Sequence, residues 1–179
     1  AKASNGDFLA VGQVLQPLIG NFSFVARIGS DGTFLWRTNL SVPTDLRCIS
    51  ESPDGNIWCG GSVSGKELLV AISPTGNLLW SKNPPESVVS VITHLIPYGV
   101  DMAVFGSETY VPNLYAQQVS IRKFSTMLGN EVMHTVVGNN SPSSETLFDA
   151  IKLPSGGFAL AAQYAYPYAP FAGRQEIGI

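Results

Sequence analysis

Charge is scarce in this sequence: Asp, Glu, Lys and Arg make up 13% of its 179 residues, about half the usual share. Lys and Arg number 10 against 13 Asp and Glu, for a net charge of −3, and the basic residues form no run. Nucleic acids and acidic membrane surfaces are held by concentrated positive charge, so neither is expected as a partner. No stretch approaches the ~18 consecutive apolar residues of a membrane-spanning helix. The sequence opens without the basic and apolar regions of a targeting peptide, so such a peptide is expected to be absent or already removed. A 3.6-residue apolar period is missing throughout, which predicts no helix longer than a turn.

Groups that carry chemistry are equally thin. His94 and His134 are the only histidines, and neither sits among the Asp, Cys or Ser residues of a triad or ligand set. Both read as structural side chains. Two cysteines without matching histidines make no zinc site. Asp31-Gly32 and Asp54-Gly55 offer one carboxylate per turn, far short of what calcium requires, and read as Asx-type turns. The glycines lie between strands with no helix to follow, so no phosphate loop is present. No cofactor and no metal is expected.

What the sequence does have is glycine (18), proline (12) and a repeat. One phrase occurs as "FVARIGSDGTFLWRTNL" (24–40), "LVAISPTGNLLWSKNP" (69–84) and, more worn, "VSIRKFSTMLGNEVMHTVV" (119–137). Its turn glycines are Gly32, Gly76 and Gly129. Trp36, Trp80 and Met133 each follow four residues later. A second phrase alternates with it: "LRCISESPDGNIWCGGSV" (46–63), "VSVITHLIPYGVDMAVFGSE" (89–108) and "FDAIKLPSGGFALAAQ" (148–163), with residues 1–13 as a truncated copy. Each phrase is a β-hairpin, with β-branched or aromatic runs on either side of a glycine turn.

Two alternating hairpins make a four-stranded unit A-B-C-D of about 45–55 residues, the period of a β-propeller blade. The expected fold is therefore all-β, a single propeller domain with units near 1–40, 44–84, 87–137 and 145–179. The first and last units are incomplete. A four-bladed propeller lacking one edge strand is one reading; a piece of a six- to eight-bladed propeller is the other, and it is favoured because natural ends seldom bisect strands. Trp36, Trp80 and Met133 are assigned to docking between neighbouring blades, each a large apolar plate at a fixed strand position.

The phrase around Trp80 resembles the docking repeat of PQQ-like propellers. More broadly, the chain is similar to secreted bacterial propeller proteins with repeats of the WD-like and PQQ-like type. The resemblance implies a fold and not an activity, since such propellers host many functions. The calcium and quinone ligands of quinoprotein dehydrogenases have no counterpart here.

Cys48 and Cys59 flank the turn "ESPDGN" symmetrically, which leaves a cross-strand disulfide and two buried thiols as alternative readings. Three Asn-x-Ser sequons, at Asn21, Asn39 and Asn139, permit glycosylation in a secretory route.

The A–B and C–D turns are uniformly tight, whereas the B–C side carries "VLQPLIGN" (14–21), "ETYVPNLYA" (108–116) and "YAYPYAPFAG" (164–173). These segments hold Leu18, Tyr110, Tyr115, Tyr164, Tyr166, Tyr168 and Phe171. Aromatic side chains on loops set on a rigid scaffold suit a protein or glycan ligand, and packing of the loops on themselves is the competing reading. The expected function is a non-catalytic, secreted or surface module that binds through this face or assembles with copies of itself. An enzyme of the hydrolase or quinoprotein class, with its active site outside this chain, is the alternative. Strand A offers such an enzyme little beyond His94, Asp149 and Lys152.

Overall fold

Alternating β-branched and aromatic residues between glycine turns fold into fourteen strands and, among the described residues, no helix. The computed structural model describes residues 1–17, 20–83, 90–109, 117–137, 144–165 and 175–178. The strands are β1 (Phe8–Gln16), β2 (Gly20–Ile28), β3 (Phe34–Pro43), β4 (Asp45–Glu51), β5 (Ile57–Val63), β6 (Lys66–Ile72) and β7 (Leu78–Lys82). They continue as β8 (Ser90–Tyr98), β9 (Asp101–Thr109), β10 (Gln117–Ser125), β11 (Glu131–Val137), β12 (Ser144–Lys152), β13 (Phe158–Ala165) and β14 (Gln175–Gly178).

These make four antiparallel sheets, each a simple up-and-down meander: β1-β2-β3, β4-β5-β6-β7, β8-β9-β10-β11 and β12-β13-β14. A bridge from Lys2 to Phe8 adds a stub of chain beside β1. The sheets stack in chain order. β4 packs on β1 and β2, β8 on β4, β5 and β6, and β12 on β8, β9 and β10.

Stacking gives the inner sheets two buried faces, and their composition follows from it. Along β5 and β6, Ile57, Cys59, Leu68, Val70 and Ile72 meet Leu9, Val25 and Leu40 of the first sheet. The alternate residues Trp58, Leu69 and Ala71 meet Ile92, Met102, Val104 and Phe124 of the third. A third apolar layer joins Phe105 and Val119 to Leu147, Phe158 and Leu160 of the fourth sheet. A strand buried on both sides is apolar at every position and not at every second one.

The two tryptophans of the repeat sit at the sheet-to-sheet seams. The Trp36 indole lies against Gly76, and its Nε1 donates to Pro74 O at 3.0 Å. One repeat on, Trp80 lies against Gly129 while Lys82 Nζ donates to Gly129 O at 2.7 Å. A Cβ on either glycine would stand 2.9 Å from the indole, and both have positive φ, +91° and +62°. Glycine is required at these turns twice over, by backbone sign and by the plate above it. Met133, in the corresponding place on β11, is 44% exposed.

Two readings made from spacing need correction. Cys48 and Cys59 do not face each other: a bulge between Leu46 and Cys48 shifts the register so that Cys48 pairs with Gly60, and Cys59 with Ile49. Their side chains therefore leave opposite faces of the sheet, Cys59 toward the first sheet and Cys48 toward the third. Both are free thiols, and no disulfide joins them. Burial pushes the Cys48 thiol up to about 12 and raises Cys59 well above its ordinary value. Thermal unfolding is expected to give the same midpoint with and without a reducing agent; a drop on reduction would contradict this placement.

The second correction concerns the segment 14–21, which is largely strand and not loop. β1 and β2 keep their register from Phe8↔Ile28 out to Gln16↔Gly20, carrying Leu15 outward at 73% exposure. Glu108 and Thr109 likewise close β9 in buried positions, and Tyr164 lies within β13.

Candidate functional site

At the end of the stack that carries the β5–β6 turn and the β3–β4 link, two clefts open among the described residues. The first, of about 360 Å³, lies where the first and second sheets diverge. It is lined by Gln13 of β1, Asn21 of β2, Pro43 and Thr44 of the link into β4, Asp45, and Ser62 and Ser64 beside the β5–β6 turn. Six of these seven side chains carry hydrogen-bonding groups, and Asp45 is the one charged residue among them.

The cleft is pre-shaped by its own hydrogen bonds. Gln13 Nε2 donates to Asp45 Oδ1 at 2.8 Å, and Arg47 Nε donates to Asp45 Oδ2 at 2.8 Å. The carboxylate is thus fixed from two sides at the mouth, half exposed. Behind it, Ser23 Oγ donates to Thr44 O at 2.8 Å and accepts from Leu46 N at 3.2 Å. Thr44 N donates to Asn21 O at 3.2 Å, clamping the link onto the neighbouring sheet. The Thr44 hydroxyl is buried there without a hydrogen-bond partner. The β5–β6 turn is a two-residue hairpin turn with both central residues at positive φ, Ser64 at 49° and Gly65 at 75°.

The second cleft, about 440 Å³, lies between the third and fourth sheets and is mostly apolar. Val119, Val137, Phe158, Leu160 and Ala162 line it together with Glu145 and Tyr164. Glu145 is 2% exposed, and its Oε2 accepts a long bond of 3.4 Å from Val119 N. Burial raises its pKa against the opposing pull of that bond.

Of the side chains expected to form a binding face, Tyr164 is the one within the described residues, opposite Glu145 in the β12–β13 register. Leu18, Tyr110, Tyr115, Tyr166, Tyr168 and Phe171 lie outside the described residues. The first cleft was not legible as a site, because its residues come from five separated positions and form no motif. The available signal was the clustering of Ser, Thr, Asn, Gln and Asp at the strand ends of one side.

On the first strands of the third and fourth sheets, His94 Nε2 of β8 lies 3.4 Å from Asp149 Oδ1 of β12, and His94 Nδ1 lies 3.0 Å from Thr93 Oγ1. Two of the three residues singled out for an enzyme reading, His94 and Asp149, are therefore neighbours in space, while the third, Lys152, donates to Pro97 O at 3.5 Å. Asp149 is 66% exposed at its side chain, and no group of three or more metal-ligating side chains occurs among the described residues.

No protein-family model and no curated protein matches this sequence. Solved structures do resemble it. A bifunctional GH43-CE protein of Bacteroides eggerthii matches over 97% of this chain and 26% of its own, at 12% identity and a TM-score of 0.52. A protein of unknown function from Bacteroides caccae matches over 87% of this chain and 56% of its own, at 11% identity and a TM-score of 0.45. A puromycin hydrolase mutant matches over 92% and 33%, at 14% identity and a TM-score of 0.31. This chain therefore spans from about a quarter to just over half of the structures it resembles. At such identities the likeness is one of fold alone.

Proposed function

We propose that the four sheets are consecutive blades of a β-propeller and that the chain is a non-catalytic module binding a glycan at its B–C end. Support for the propeller comes from the repeated seam. Each sheet lays its first strand on the sheet before it, and Trp36 and Trp80 each cover the next sheet's turn. The same rotation repeated about one axis gives a propeller.

The observation that carries the binding reading is the lining of the first cleft. A concave site of about 360 Å³ built from two amides, three hydroxyl residues, one oriented carboxylate and a proline matches a sugar ring better than a protein face. Sugars present many neutral donors and acceptors in a small volume, and amide and hydroxyl side chains serve as either partner. Protein interfaces, by contrast, rely on flat apolar cores with aromatic anchors. Secretion or surface display is part of the same proposal, since free glycans and polysaccharides are met there.

Isothermal titration with a panel of neutral mono- to tetrasaccharides tests this reading. Binding is expected to at least one, and Asp45→Ala is expected to weaken it about tenfold or more, the usual loss for a hydrogen bond to a charged group. Absence of binding across the panel, or an unchanged affinity in Asp45→Ala, would overturn it. Release of shortened sugars from the bound oligosaccharide would overturn the non-catalytic part of the proposal.

A further inference from the structure

Beside the apolar layer between the second and third sheets, five ionisable side chains meet. Arg122 of β10 is 2% exposed and Glu67 of β6 is 1% exposed. Arg122 Nη2 donates to Glu108 Oε2 of β9 at 2.8 Å, and Nη1 donates to Glu131 Oε2 of β11 at 2.8 Å. His134 Nε2 of β11 lies 3.2 Å from the same Glu108 oxygen. Glu67 Oε2 stands 3.3 Å from Arg122 Nε but is misaligned, so both atoms remain without a hydrogen bond.

The charges do not balance. Three carboxylates face one guanidinium and one imidazole. With all of them ionised and His134 protonated the group is at −1, and with a neutral imidazole it is at −2. Buried charge without a counter-charge is strongly disfavoured, and the usual relief is uptake of a proton. Geometry says where that proton goes. Glu108 and Glu131 each accept an aligned bond from Arg122, whereas Glu67 is the deepest of the three and accepts none from it. Gly106 opposite leaves its other oxygen room, a Cβ there standing 3.3 Å from Glu67 Oε1.

We propose that Glu67 holds a proton in the native seam and that losing it loosens the second sheet from the third, making the seam a pH-sensitive latch. Burial, with Glu108 and Glu131 adding to it against the pull of Arg122, pushes the Glu67 carboxyl up to about 7. Its folded value thus lies above the ordinary 4.5. The folded protein then binds more protons than the unfolded chain between those values. Stability from this group is complete below about 4.5 and is lost as pH rises through about 7.

The latch is tied to the β5–β6 turn. Glu67 N donates to Ser90 Oγ at 3.2 Å, and Ser90 N donates to Gly65 O at 2.9 Å. A loosened seam therefore reaches Ser64, one wall of the polar cleft.

The test is thermal unfolding of the full chain and of Glu67→Gln, which copies the protonated carboxyl, at pH 5 and pH 8. The wild-type midpoint is expected to fall by about 5 °C more than that of Glu67→Gln over this interval. Equal shifts in the two proteins would overturn the latch. Carbon-13 carboxyl NMR of the unmodified protein gives a second reading that needs no variant. A Glu67 resonance titrating near neutrality is expected, and one titrating in the ordinary carboxylate range would refute the assignment. Neither measurement involves a sugar, so failure here and failure of the glycan proposal are separate events.

Discussion

Replacing Arg122 with methionine is expected to cost about 3–5 kcal/mol of unfolding free energy, the loss typical when one member of a buried charge group is removed. Methionine matches the arginine stem in length and polarity, so little packing is lost. What remains is the problem of charge. Glu67, Glu108 and Glu131 would face one another with the His134 imidazole as the one nitrogen group left beside them, and the carboxylates bonded at 2.8 Å would lose their guanidinium donors. Urea unfolding at pH 7 measures the loss directly. The same experiment at pH 5 is expected to show a smaller loss, because the Glu67 carboxyl, which burial pushes up to about 7, is protonated there and tolerates the missing guanidinium. Combining Arg122→Met with Glu67→Gln is expected to recover part of the stability. A loss below about 1 kcal/mol at pH 7 would contradict the burial of this group.

The second large effect is expected at Trp80, where truncation to alanine removes about 3–5 kcal/mol. The indole does two things at once. It meets the fully buried Trp58 edge-on, with ring centroids 4.9 Å apart, and it roofs the Gly129 turn of the next sheet. Removing it opens Trp58 and the Leu69–Phe124 layer to water from the rim. Lys82, whose ammonium lies 5.2 Å from the indole centroid, would lose its platform as well. Trp80→Phe is expected to retain most of the stability, because a phenyl ring still covers the turn. A loss below about 1 kcal/mol for Trp80→Ala would show that the two sheets hold together without it.

Much of the fold was legible because its marks are local. Asp-Gly and Thr-Gly between β-branched runs place hairpins wherever they occur, and the period of those hairpins groups the strands into four units. The fixed place of Trp36 and Trp80 in the repeat was legible for the same reason, whereas the glycine turn one repeat on that each covers was not. Features created by register or by distance in sequence were not. The bulge beside Arg47 has no signature in "LRCISE", yet it sends Cys48 and Cys59 to opposite faces. Val14, Leu15 and Gln16 looked like the start of a loop because proline and glycine follow, but cross-strand pairing with β2 carries them on as strand. The Arg122 group unites residues from four strands, and each looks like an ordinary surface residue when read alone. One clue was available: in "VSIRKFS", Val119 and Ile121 face one side while Phe124 shares the other side with Arg122. A strand apolar on both faces leaves an arginine nowhere to go but inside.

The stack has a mechanical corollary. Among the described residues every ladder hydrogen bond is made within one meander, and neighbouring meanders are joined chiefly by side chains and a few clips such as Trp36 to Pro74. Tension applied along the chain would therefore meet four springs in series. Each would unzip hairpin by hairpin at low force, since a load perpendicular to the strands breaks the bonds one at a time. Only the seams would resist in shear, and the one between the second and third sheets would do so according to the pH at which it is pulled.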